Sequence, residues 1–206
     1  MIQWMVEWPT WQLTRIAGIA AYLALFGGMT LGLLYGYPFL KGASKISVYR
    51  WHSRLTVAGT AIALLHAAVL VIDTYTPFTW GELLLPFSAH DHPVLYGIGS
   101  LALYGMLLLI LTTDLRPRLK RPLWLAIHML AYPMFAAALL HGLLAGTDSS
   151  LGVVQGMYAV TGGATLLLFC GRLIPRKPAA RAEILPGPRR PDGSRRQQAS
   201  RGSDAS

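Results

Sequence analysis

Apolar residues along this chain gather into long runs separated by short polar or charged pieces. Five such runs stand out: Ile16 to Tyr37, Trp51 to Ile72, Pro93 to Thr113, Leu123 to Ala145 and Leu151 to Leu173. Each is about 20 residues long, which at about 1.5 Å per residue crosses a hydrocarbon layer of about 30 Å. Backbone groups in lipid must find partners within their own segment, so each run is expected to be a helix. The expected fold is an all-α membrane protein, a bundle of five transmembrane helices followed by a disordered basic C-terminal tail. Three segments follow along the chain. Residues 1–14 form an outer interfacial N-terminus, with Trp4, Trp8 and Trp11 as an aromatic belt. Residues 15–173 form the membrane domain, and residues 174–206 a cytoplasmic tail.

The polar pieces refine this. Residues 1–14 lack the basic start and small-residue cleavage site of a signal peptide, so the first run is expected to be retained. GELLLPF, residues 81–87, reads as a short helix at the interface. From Pro175 the chain is rich in Pro, Arg, Ser and Gly and holds too little apolar matter for a core. That tail reads either as an anchor against anionic lipid or as a docking site for a cytoplasmic partner.

Composition agrees: of 206 residues, 53% are hydrophobic and only 13% charged. A net charge of +9 would suggest nucleic acid in a soluble chain. Here, from Arg172 onward, nine Lys/Arg and three Asp/Glu leave +6 of it in the tail. No nucleic-acid partner is expected, and membrane lipid is. The basic residues between runs lie on one side: Lys41, Lys45, Arg50, Arg54, Arg116, Arg118, Lys120 and Arg121. The other side carries Glu7, Asp73, Glu82, Asp91 and Asp148 against Arg15 alone. The positive-inside rule then puts the N-terminus outside and the C-terminus in the cytoplasm of a cell (inner) membrane protein. The lone cysteine, Cys170, excludes an intrachain disulfide and a Cys-based metal site.

Ionisable side chains at membrane depth are costly and call for a reason. The second run holds His52 and His66, and the fourth His128 and His141. By depth they pair as His52 with His128 near the cytoplasm and His66 with His141 near the outer face. Each step is about 20 Å along a helix axis, a spacing that suits two stacked haems, each held by two imidazoles and built for electron transfer. Fourteen residues from His52 to His66 leave about −40°, so both face one way. Thirteen residues from His128 to His141 leave about 220°, nearly opposite. Pro133 stands between them, and local overwinding there is the expected repair. A proton relay would usually enlist buried acids as well, and the runs contain none.

Other residues admit two readings each. Gly18, Gly27, Gly28, Gly32 and Gly36 in the first run serve close helix packing or leave room for a macrocycle edge. Gly59, Met134 and Phe135 lie midway between the histidines, as space and filling between haem edges or as ordinary packing. Arg15, Arg50 and Arg54 pair with haem propionates or set topology. His90 and His92 belong to an exposed outer loop or form a surface site for a partner, quinone or metal.

With these residues in view, the chain resembles the ferric-reductase-like transmembrane domains, the haem-carrying membrane part of NADPH oxidases and metalloreductases. The resemblance rests on the 14- and 13-residue histidine steps, on LTRIAGIAAYLAL (13–25), PFTWGELLLPF (77–87) and LLHGLLAGTDS (139–149). It covers about Leu13 to Arg172 and implies that His52, His66, His128 and His141 are the axial ligands of two b haems. No flavin or nicotinamide motif follows the fifth run, and in this the chain resembles the short bacterial members, including the haem subunit of a methionine sulfoxide reductase system. The function this implies is a cytochrome b that carries electrons across the membrane as an oxidoreductase subunit, served by a separate electron donor and acceptor protein or quinol. A membrane anchor or assembly subunit, and a histidine-lined proton or metal transporter, are the alternatives.

Overall fold

The computed structural model describes residues 10–73 and 77–174. Trp4, Trp8 and the tail from Pro175 lie outside the described residues, and so do the expectations placed on them. The described chain is helical: α1 (Thr10–Tyr35), α2 (Gly42–Val69), α3 (Trp80–Leu84), α4 (Pro93–Asp114), α5 (Arg121–His128), α6 (Ala131–Ala145) and α7 (Gly152–Leu173). Short 3₁₀ turns at Arg116–Arg118 and Thr147–Ser150 join α4 to α5 and α6 to α7.

Four segments are long and apolar enough to cross a membrane: α1, α4, Arg121–Ala145 (α5 with α6) and α7. The protein is therefore a multi-pass helical membrane protein, with large apolar side chains such as Ile16, Val153 and Leu167 turned outward. The count differs from the five runs of the sequence because α2 falls outside this set. At 28 residues α2 is long enough, but His52, His66, Lys45, Arg50 and Arg54 dilute its apolar side chains. It also starts earlier than expected. The basic stretch from Lys41 to Arg54 is not a loop but the first turns of α2, because no proline or glycine interrupts residues 43–58. The interfacial helix expected near GELLLPF is α3, opened by a capping box in which Thr79 and Glu82 satisfy each other's backbone N–H groups.

Small residues decide how closely the helices approach. A Cβ on Gly28 would lie 2.7 Å from Thr56 Oγ1, and one on Gly59 would lie 3.1 Å from the Leu25 backbone nitrogen. These contacts lock α1 against α2 in antiparallel register. α1 also packs on α6 and α7, while α4 packs on α2, α5 and α6. Between the helices sit two apolar clusters. One joins Tyr22, Phe135 and Tyr158, with the Tyr22 and Phe135 rings stacked at 5.7 Å. Its polar edge is closed by a 2.6 Å hydrogen bond between the Tyr22 and Thr161 hydroxyls. The other joins Leu25, Met106 and Leu109, with Met134 against them.

The fourth run is not one regular helix. α5 ends at His128 and α6 begins at Ala131. Across the break the ladder tightens: Leu130 N bonds Ile127 O at 2.9 Å, and Tyr132 N bonds Met129 O at 3.3 Å, both three residues back. Pro133 has no N–H to offer Met129 O four residues back, so Tyr132 takes that carbonyl. Each tightened residue adds about 20° of rotation over the ordinary helix. Three or four such residues move the His128–His141 offset from about −140° to about −70°, near the −40° of the facing pair.

Candidate functional site

The antiparallel register and the break at Pro133 together bring four histidines into two pairs. The ring centroids of His52 and His128 lie 6.4 Å apart at 77°, and those of His66 and His141 lie 6.5 Å apart at 76°. α2 and α6 are not among the helix pairs in extended backbone contact. The imidazoles therefore reach towards each other across a gap between helices.

Three of the four rings are held by one repeated device. His66 Nδ1 bonds the carbonyl of Thr14 at 2.8 Å, His52 Nδ1 that of Gly28 at 2.7 Å, and His141 Nδ1 that of Leu95 at 2.9 Å. A carbonyl can only accept, so each Nδ1 carries a proton, and in the neutral ring Nε2 is then the atom with a free lone pair. That is the tautomer of a metal-ligating imidazole, whose N–H is commonly tied to a carbonyl or carboxylate. Four residues beyond each accepting carbonyl stands a glycine: Gly18 after Thr14, Gly32 after Gly28, Gly99 after Leu95. In a helix the side chain at i+4 leans back over the carbonyl of residue i and would cover it. A Cβ on Gly18, Gly32 or Gly99 would come within 3.1, 3.0 or 2.7 Å of the imidazole. Glycine leaves the carbonyl bare and lets the ring lie flat against the helix.

His128 lacks this support. Its Nδ1 is buried without a hydrogen-bond partner, and its ring is stacked instead on Trp124 at 5.0 Å and 19°. Arg116 lies over the same indole, 4.4 Å from its centre.

A cavity adjoins the outer pair, lined among others by Arg15, Gly18, Tyr22, His66, Gly99 and His141. The Thr14 hydroxyl, also lining it, is buried without a partner. Among the described residues no group of three or more His, Cys, Asp or Glu side chains could hold a metal ion by itself. Two facing imidazoles across a gap between their helices, with an unpartnered hydroxyl beside the outer pair, suit a metal that brings its own equatorial ligands. Haem b has that chemistry, and the four histidines are the residues that would hold it.

The remaining candidates are placed as follows. Gly18 and Gly32 face the rings of His66 and His52, Gly27 and Gly28 face Leu55 and Thr56, and Gly36 faces Arg172. Gly59 receives Leu25, and Met134 and Phe135 belong to the apolar clusters. Arg15 makes a bidentate ion pair with Asp148 through Nε (2.7 Å) and Nη2. Arg50 and Arg54 are exposed, with Arg54 over the Trp51 ring at 5.4 Å. His90 and His92 are exposed, and the His90 ring touches only its neighbour Asp91 at 3.3 Å among the contacts resolved for it. In the same loop, the backbone N–H groups of Thr79 and His90 hold the Glu82 carboxyl below its ordinary range.

The glycine-carbonyl device escaped a reading by residue type. Its trace in the sequence is a matched interval: Gly18 and Gly32 are spaced like His52 and His66.

Residues 17–139 match the model of one protein family, described as the ferric reductase like transmembrane component. The match takes in His52, His66 and His128 and stops just short of His141. No curated protein and no solved structure matched the chain.

Proposed function

The chain belongs to the family of the ferric reductase like transmembrane component, and from that premise we propose that it is a b-type cytochrome with two bis-histidine haems. The protein is the membrane subunit of a reductase and passes single electrons across the bilayer. One observation carries this reading, the ring separations of 6.4 and 6.5 Å. An iron between two imidazoles needs two metal–nitrogen bonds of about 2.0 Å, plus about 1.2 Å from each nitrogen to its ring centre. The sum is about 6.4 Å.

Haem b, when bound, supplies a one-electron iron couple. The chain's own residues do the rest. His52, His66 and His141 are pre-oriented by their Nδ1–carbonyl bonds, which also raise the donor strength of Nε2. Leu25, Met106, Leu109 and Met134 form an apolar layer between the two levels and exclude water from it. The histidine steps set those levels about 20 Å apart along the helix axes.

In this reading α2 is a fifth span. Its histidines turn towards α5 and α6, and its basic first turns lie at the cytoplasmic surface. The N-terminus is then outside and the C-terminus in the cytoplasm of a cell (inner) membrane. Electrons come from a separate donor protein or quinol and leave to a separate acceptor. Among the described residues no third His, Cys, Asp or Glu joins either pair, which favours a metal that brings its own equatorial ligands.

The test is a reduced-minus-oxidised spectrum of the purified protein with haem quantified per chain. Two low-spin b haems per chain are expected. His52→Ala and His128→Ala should disturb one component, and His66→Ala and His141→Ala the other. One haem at full occupancy, no Soret band, or loss of a common component in His52→Ala and His66→Ala would overturn the reading.

A further inference from the structure

The two histidine pairs are not equivalent. In the outer pair both rings are tied to backbone, His66 to Thr14 and His141 to Leu95. In the inner pair only His52 is tied, to Gly28. His128 Nδ1 is buried and unpartnered, and it stands at the last residue of α5, where the helix breaks.

On α4 the pattern that tethers His141 changes at the corresponding step. Leu95 and Gly99 recur fourteen residues later as Leu109 and Thr113, one histidine step along. There the glycine is replaced by a threonine whose hydroxyl donates to the Leu109 carbonyl at 2.7 Å, and Thr112 donates to it at 3.2 Å. The acceptor that would correspond to Leu95 is occupied by side chains of its own helix.

Resting on the two-haem reading, we infer that His128 is the weak, exchangeable ligand of the inner pair, so that this level admits a small exogenous ligand such as carbon monoxide while the outer level does not. A hydrogen bond to the distal ring nitrogen is worth about 10–100-fold in metal affinity. His128 also lacks the tether that returns a released imidazole to its place. With haem bound, release of the His128 imidazole would free one two-electron donor position that carbon monoxide would take, so the exchange would balance without an oxidant or reductant. The Trp124 stack, at 5.0 Å and 19°, restrains the plane of the ring without fixing its Nε2.

The experiment is a carbon monoxide titration of the dithionite-reduced, full-length, haem-loaded protein, read by its difference spectrum. The expected result is an adduct at one haem of the two, with the other unchanged. His128→Ala should alter the carbon-monoxide-sensitive component alone, and His141→Ala should make the insensitive component sensitive. Gly99→Ala, which drives a Cβ into the His141 ring, should raise the reacting share from one haem towards two. Two bound haems with no adduct, two haems reacting alike, or a His128→Ala protein whose sensitive component is unchanged would overturn the inference and leave the two-haem reading standing. A protein without two haems would overturn that reading, and the inference with it.

Discussion

Alanine at the histidine-facing glycines separates a ligand-positioning role from ordinary helix packing, because the two predict opposite signs. Ordinary contact begins near 3.4 Å, and a Cβ would meet the imidazole at 2.7 Å from Gly99, 3.0 Å from Gly32 and 3.1 Å from Gly18. The rings must then retreat by about 0.7, 0.4 and 0.3 Å respectively. Added to the existing bond, that carries His141 Nδ1 to about 3.6 Å from the Leu95 carbonyl, beyond hydrogen-bonding reach. His52 and His66 stretch only to about 3.1 Å. Loss of the bond is worth about 10–100-fold in haem affinity, or about 1.4–2.7 kcal/mol. Gly99→Ala should show that full effect, and Gly32→Ala and Gly18→Ala a few-fold each. In each case alanine favours the helix itself by about 0.8–1.0 kcal/mol. Haem-free protein should therefore be no less stable while haem binds more weakly. Gly163→Ala, with nothing within 4 Å of its Cβ, is the control and should leave affinity unchanged. Haem transfer to excess apomyoglobin reads the affinity, and thermal unfolding of the haem-free protein reads the helix. Equal haem affinity in all four variants would refute the positioning role, as would a loss of haem-free stability that tracks the loss of haem.

Three further outcomes follow from the same geometry. Pro133→Ala offers Met129 O its missing donor and should regularise the turn between α5 and α6, lowering haem occupancy at the outer pair with topology intact; unchanged occupancy would assign the break to neighbouring helices. Arg15 and Asp148 form a partly exposed pair, so a double-alanine cycle should give a coupling of at most about 1 kcal/mol in thermal unfolding. A shift in the outer haem's potential in Arg15→Ala without one in Asp148→Ala would instead show Arg15 serving a propionate. Glu82 is held ionised by Thr79 and His90, so its folded carboxyl titrates below its unfolded value. Its support of residues 79–90 is complete above the unfolded pKa and is lost as pH falls through the folded one; amide exchange in that loop should show this acid opening, and Glu82→Gln should abolish its pH dependence.

By itself, the sequence determined what depends on local chemistry. Runs of apolar residues must be helices in lipid, and histidines inside them must have partners, so the all-helical class, the four apolar spans and the pairing of the histidines were readable, whereas the second run, diluted by its charged and histidine residues, starts earlier than expected and is not among the four. The irregularity between His128 and His141 was readable too, because thirteen residues do not close a whole number of turns and Pro133 removes a donor nearby. Only the tertiary structure decided what depends on register between distant segments. The placement of Gly18 and Gly32 against His66 and His52 requires α1 and α2 to dock antiparallel at one offset, and nothing within α1 states that offset. The pairing of Arg15 with Asp148 is of the same kind, since the two meet only when α1 stands beside the turn after α6. The difference between His128 and its three tethered counterparts is the last example. His128 Nδ1 is buried without a partner, while on α4 the Leu109 carbonyl already accepts from Thr113 and Thr112, and neither fact exists until the helices are built and packed.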